Sequence, residues 1–198
     1  MAATSPFRFN EARDEMRTRD FFQQDPDLVA RELIGSIMIV RDAHTVRRAR
    51  LLETEAYGGL DDPGSHAHRG PTPRSAIMFG PAGHLYVYRS YGVHWCMNVV
   101  TQGEGTASAV LLRAAEVTTS DDATKTPVLL RGPGNLTRGL GVTGVDNGVD
   151  CCDDTTRIHF LRSPSPVDAA LIGRSARIGL SRGVERPSRY FLSPEIAK

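Results

Sequence analysis

Glu53, Glu55 and Tyr57 alternate through Glu-Thr-Glu-Ala-Tyr at the end of an otherwise apolar run. On a strand, residues two apart share a face, so these three side chains project together. A carboxylate held partly dry beside an aromatic ring suits a general base that deprotonates water. The same alternation also describes a solvated strand face. Arg113 closes the run Val-Leu-Leu-Arg. A guanidinium at the end of a buried strand needs an acidic partner, and Glu55 is the candidate, as a plain salt bridge or as part of a site.

His66 and His68 follow closely, with Asp61 and Asp62 nearby. Two histidines one residue apart with carboxylates can bind a metal, can contact a substrate, or can sit in a surface loop. His44, His84, His94 and His159 are scattered and supply no second ligand cluster. The stretch from His84 to Asn98 is rich in aromatics: Tyr86 and Tyr88 share one strand face, and Tyr91-Gly92 falls where a hairpin turns. An aromatic at a turn tip is wasted apolar surface unless it inserts somewhere, and one such place is a base step of a duplex. Ordinary cross-strand packing is the alternative, and it accounts for Trp95. Asn98, within a strand, can read a base edge or satisfy the backbone.

These residues must be carried by elements that the pattern also indicates. Asp25-Pro26-Asp27 opens a helix that Gly35 stops. Strands are expected over 36–40, 48–56, 84–88, 94–101, 109–116, 158–160 and 177–180. Residues 58–73 hold seven Gly or Pro and read as a long surface loop. Residues 118–126 are polar and read as loop or short helix, and 131–136 as a turn entering a helix. The count points to an α+β fold: one mixed domain around an antiparallel sheet, covering 21–198 behind an Arg-rich arm over 1–20.

Composition removes other classes. The chain has 198 residues, and 40% hydrophobic content is ordinary for a globular domain. No apolar run reaches the roughly 18 residues of a membrane span. The first ten residues lack a secretory signal's hydrophobic stretch. Three cysteines, two of them adjacent, make no disulfide framework and point to a reducing cytoplasm. The basic residues are 22 Arg against only Lys125 and Lys198, so lysine Schiff-base chemistry has almost no candidates. The net charge of +1 hides any local DNA-binding patch.

Val29-Ala-Arg-Glu-Leu-Ile-Gly35, Glu53-Thr-Glu-Ala-Tyr57, Thr72-Pro-Arg74, Met78-Phe79, Gly83-His-Leu-Tyr-Val-Tyr88, Tyr91-Gly92, Cys96-Met-Asn98, Val110-Leu-Leu-Arg113 and Gly132-Pro-Gly-Asn-Leu136 run collinearly. Together they resemble the alkyladenine (3-methyladenine) DNA glycosylase family, monofunctional alkylpurine type, from Phe21 to Phe191. The resemblance implies a curved antiparallel sheet with a protruding hairpin that enters the DNA minor groove. It implies hydrolysis of the N-glycosidic bond of 3-methyladenine, 7-methylguanine and, in some members, hypoxanthine or ethenoadenine, leaving an abasic site.

By the same resemblance Glu55 is the general base and Arg113 helps hold the attacking water. Tyr57, His66 and Tyr88 form the pocket for the flipped base, and Asn98 excludes the amino group of guanine. Tyr91 is the intercalating wedge. Thr72, Arg74 and Tyr86 fall near the DNA backbone. No metal or organic cofactor is implied. The partner is damaged double-stranded DNA, with no membrane, a monomeric chain and a bacterial, cytoplasmic, nucleoid-associated setting. Val93 stands where vertebrate members commonly have methionine, and the loop after His66 is one residue shorter. A catalytically silent lesion-binding module and a metal-dependent hydrolase built on His66, His68 and Asp61 are the competing readings.

Overall fold

The computed structural model describes residues 15–119, 126–163 and 165–192. Its frame is a pair of long antiparallel strands, β2 (Val46–Tyr57) and β5 (Ala109–Thr119). Each serves two shorter neighbours along its free edge. β2 pairs β1 (Ile37–Arg41) through 46–50 and then β9 (Arg189–Leu192) through 53–55. β5 pairs β4 (His94–Val100) through 109–111 and then β6 (Val128–Arg131) through 114–117. β3 (Leu85–Ser90) hangs on β4, β7 (Ile158–Leu161) on β1 and β8 (Ile172–Ser175) on β9. The strands form one curled antiparallel sheet with few helices, an α+β domain.

The β2–β5 ladder slips twice. Leu52 and Arg113 have no residue opposite them, and the register shifts between Leu51 and Glu53 and again between Glu53 and Thr54. Such bulges bend a strand and re-aim its side chains. Here they leave Leu52 and Leu112 in the main core and send Glu53, Glu55 and Arg113 to the opposite face, where the three side chains meet.

The main core lies on the face packed by α1 (Arg19–Phe22), α2 (Pro26–Glu32) and α3 (Pro133–Gly139), with Phe22, Leu33, Met38, Leu51, Leu85 and Phe160 among its fully buried side chains. α2 starts as its sequence indicates: the Asp25 carboxylate accepts the Asp27 and Leu28 N–H groups, and Pro26 occupies the first turn. Gly35, at φ +84°, lies just beyond its end. A smaller core of Ala67, Met78, Tyr86, Val100, Ala107 and Ala109 lies under the loop that follows β2.

Several sequence expectations change. Residues 177–180 are not a strand; the terminal hairpin is built from β8 and β9, and 177–180 belong to the connection between them. β6 has no counterpart among the expected strands. The 58–73 loop is partly interior, with Asp62 and Ala67 fully buried. Residues 15–20, assigned to the arm, meet the body: Met16 bridges Leu161 and the Arg17 N–H reaches the Phe160 carbonyl at 2.8 Å. Residues 118–119 end β5, while 120–125 lie outside the described residues, as does the rest of the arm.

Candidate active site

Glu55 is fully buried, and its carboxylate receives three donors. The Tyr57 hydroxyl donates to Oε2 at 2.8 Å, Arg113 Nη1 donates to Oε2 at 3.3 Å, and the backbone N–H of Ile178 donates to Oε1 at 2.7 Å. Glu53 shares the same guanidinium, accepting Arg113 Nε on Oε1 at 2.8 Å and Arg189 Nε on that same oxygen at 2.6 Å. Two buried carboxylates are therefore matched by two guanidiniums. Burial by itself would lower the Arg113 pKa, but the charges of Glu55 and Glu53 outweigh it and raise it.

Beside this network lies an aromatic wall. Tyr86 and Tyr88 sit 5.2 Å apart, centroid to centroid, and the His66 ring stands edge-on to Tyr88 at 4.6 Å. The Tyr86 hydroxyl and His66 Nδ1 are hydrogen-bonded at 2.9 Å, and the Arg74 guanidinium lies 4.7 Å over Tyr88. Burial first, then the charge of Glu55, pushes the Tyr57 hydroxyl pKa up; the nearby Tyr88 adds to the rise. Burial does the same to Tyr88, reinforced by Cys96 and Tyr86. His66 keeps an exposed edge, yet loss of solvent around the ring, followed by the Arg74 charge, holds its pKa down to about 4. All three tyrosines are neutral at physiological pH, and so is the imidazole.

Tyr91 caps the β3–β4 hairpin. Ser90 and His94 pair, and the Val93 N–H returns to the Ser90 carbonyl at 3.0 Å, so Tyr91 and Gly92 are the central residues of the turn. Both have positive φ, 49° and 70°, the twist that a tight hairpin prefers. Tyrosine rarely adopts this conformation, and here its side chain is 94% exposed.

The remaining candidates divide. Asn98 is buried, opposite Tyr86 in the ladder, and donates through Nδ2 to the Tyr86 carbonyl at 3.1 Å. Tyr86 is 2% exposed and holds His66. Thr72 is exposed but its hydroxyl is engaged with Ser75 in the turn before the next helical turn. Arg74 donates to the Arg89 carbonyl at 3.3 Å. The trio His66, His68 and Asp61 does not assemble: His68 Nδ1 donates to the Leu60 carbonyl, and Asp61 pairs with Arg186. Among the described residues no three His, Cys, Asp or Glu side chains converge to hold a metal.

Two contributors carry no signal in the sequence pattern. Ile178 acts through a backbone N–H, which no side-chain motif reports. Arg177 pairs with Asp62 in full burial and lies 4.6 Å over the Tyr57 ring, 115 residues along the chain from its partner.

Sequence comparison meets this geometry. The profile of the methylpurine-DNA glycosylase family matches residues 20–195. The chain belongs to that family. It is similar to proteins named 3-methyladenine DNA glycosylase from Frankia casuarinae (44% identity, 89% of this chain and 88% of that one) and Anaeromyxobacter dehalogenans (44%, 90% and 83%). A relative of the same name, from Methanoculleus marisnigri, is 38% identical over 87% of this chain and 92% of its own. Within this family member, the matched region runs from α1 past β9, so it includes every site residue described above.

Proposed function

We propose that this protein is a monofunctional DNA glycosylase that flips alkylated purines out of duplex DNA and hydrolyses their N-glycosidic bond with water activated by Glu55. The observation that carries the reading is the Glu55 carboxylate. Two carboxylate oxygens offer about four acceptor sites, and three are filled by Tyr57, Arg113 and Ile178. The fourth, on Oε1, is left to accept from a water, and the three donors keep it pointing in one direction.

The chemistry follows. Duplex stacking hides the glycosidic bond, so the base must be extruded at a cost of a few kcal/mol. Tyr91, exposed on a strained turn, supports a wedge that replaces the lost stacking. Tyr57 and Tyr88 are the stacking surfaces for the extruded base, with His66 at its edge and Asn98 at the pocket floor. N3- and N7-alkylated purines carry positive charge, which aromatic faces favour by roughly 0.5–2 kcal/mol. That charge makes the base leave readily; the sugar becomes oxocarbenium-like, the Glu55 carboxylate stabilises it, and the oriented water adds to the sugar carbon while its proton passes to Glu55. The products are free base and an abasic site.

3-Methyladenine and 7-methylguanine are the proposed substrates. Hypoxanthine and ethenoadenine are neutral and need a proton on departure, which a His66 with a pKa near 4 does not carry at neutral pH. Thr72 and Arg74 lie at the exposed rim and serve the DNA backbone, and Tyr86 contributes through His66. All these groups come from one chain, so a monomer acting on bacterial chromosomal DNA in the cytoplasm suffices.

The test is single-turnover base release from duplexes carrying each of the four lesions, with EDTA present. Release of the cationic bases, leaving alkali-labile sites and uncut strands, is expected. Tight lesion binding with no release from any duplex would replace this reading with a silent binding module.

A further inference from the structure

The pocket is assembled from two segments far apart in sequence. One is the loop after β2, which carries His66; the other is the β8–β9 connection, whose Ile178 N–H fixes Glu55. They are joined inside the protein by Asp62 and Arg177, whose side chains are both 0% exposed. Asp62 fills its acceptor sites with Arg177 Nη1 and Nη2, the Gly58 N–H at 2.8 Å and the Gly64 N–H at 3.0 Å. Arg177 spends the other protons of those two nitrogens on the Ala56 carbonyl, at the end of β2, and the Gly183 carbonyl, within its own connection. Its guanidinium lies over the Tyr57 ring, and the contact is tight: a side chain at Gly64 would meet Arg177 Nη2 at 2.8 Å.

We propose that the Asp62–Arg177 pair is the positioning clasp of the base pocket, holding the His66 loop, the Tyr57 ring and the Ile178 amide in one register. Its consequence for excision rests on the glycosylase reading; its geometry does not. Burying a charge pair is a poor route to stability, since well-packed apolar residues do as well or better, whereas a bidentate pair fixes relative position. Neither residue hydrogen-bonds the Glu55 carboxylate, so each acts through a neighbour: Asp62 is four residues from His66, and Arg177 immediately precedes Ile178. Among the described residues the other ion pair between these segments, Arg186 with Asp61, is exposed at the surface and contributes little.

The first measurement needs no DNA and no variant. In native-state hydrogen exchange of the wild type, the Gly58, Gly64 and Ile178 amides should open as one unit, with the same denaturant dependence. Asp62→Asn, which places an NH2 donor among three donor groups, should lower protection at all three amides together, and Arg177→Lys should do the same by losing the fork. Arg186→Gln should leave them unchanged. At saturating enzyme, both clasp variants should excise 3-methyladenine about 100-fold more slowly, the scale expected when a reacting group is misplaced by an ångström. Affinity for undamaged duplex, which does not use the pocket, should stay at the wild-type value, while the excess affinity for lesion duplex is lost.

Independent opening of Ile178 from Gly58 and Gly64 would overturn the clasp, as would wild-type excision by a folded Asp62→Asn protein. If the wild type released no base from any duplex, the glycosylase reading would fall, and the exchange result would still decide the clasp.

Discussion

Glu53 Oε1 lies 2.8 Å from Arg113 Nε at the point where the β2–β5 register slips, so the bulge that leaves Arg113 without an opposite residue also gives it two carboxylates to hold. Arg189 reaches the same oxygen from β9. The result is a chain of charges, Arg189–Glu53–Arg113–Glu55, that ends on the Tyr57 hydroxyl. Glu53 is its central link, and it aims Arg113 without needing to touch substrate.

Glu53→Ala would leave the nearly buried Arg189 guanidinium without its carboxylate and Arg113 with Glu55 alone. Loss of one partner of a buried ion pair costs about 3–5 kcal/mol, and urea denaturation of the variant should read a loss of that size. Glu53→Gln, which keeps one acceptor oxygen, should be milder in stability yet still slow excision, because Arg113 loses half of its anchoring. A variant with unchanged stability and rate would remove Glu53 from the network.

Tyr91→Asn separates strain from function. Asparagine tolerates positive φ better than tyrosine, so the folded protein should gain up to about 1 kcal/mol. Excision from a fully paired duplex should fall, because the wedge is gone. The loss should be smaller when the lesion sits opposite a mismatch, where unpairing costs least. Equal losses on both substrates would mean that Tyr91 does not act in extrusion.

The sequence makes the strand-borne part of this site legible. Alternation in Glu53-Thr-Glu-Ala-Tyr57 places three side chains on one face, and the Tyr91-Gly92 pair marks a hairpin turn; both follow from local geometry alone. The helix opened by Asp25-Pro26 is equally local. Long-range features are different. Ile-Gly-Leu after Arg177 reads as a short strand, but the chain there turns to bring a backbone N–H to Glu55, 123 residues away. The two bulges leave no residue-type signature, and Asp62 beside Asp61 looks like one more surface carboxylate. Its burial depends on an arginine that only the closed fold brings near.

The pH dependence has a definite sign. His66 titrates at about 4 in the folded protein against 6.5 when unperturbed. Between those values the unfolded chain binds more protons, so its contribution to stability is complete above 6.5 and is lost as pH falls toward 4. Asp62 adds a second acid-sensitive part. Burial would raise its pKa, but the bonds from Arg177 and the Gly58 N–H dominate and hold it below 3.8. Its contribution is present above the unfolded pKa and disappears as pH drops through the folded one. Denaturation curves from about pH 7 to pH 3 should show the first loss disappear in His66→Gln and the second persist.

The same value bears on the chemistry. Because His66 is neutral, the shape of the excision profile for cationic bases should be the same in wild type and His66→Gln from about pH 5 to 8, even if the variant is slower throughout. Hypoxanthine excision that rises as pH falls through 6.5, and loses that rise in His66→Gln, would show the imidazole acting as an acid.

The central claim is that Glu55 activates the water that replaces the base. Single-turnover release of 3-methyladenine by Glu55→Gln, measured beside lesion-duplex affinity, tests it most directly. Glutamine keeps the shape and the acceptor for the Ile178 N–H but cannot take a proton from water, so binding should be retained while excision falls by about 10²–10⁴-fold. Excision at the wild-type rate by a variant that binds normally would contradict the account.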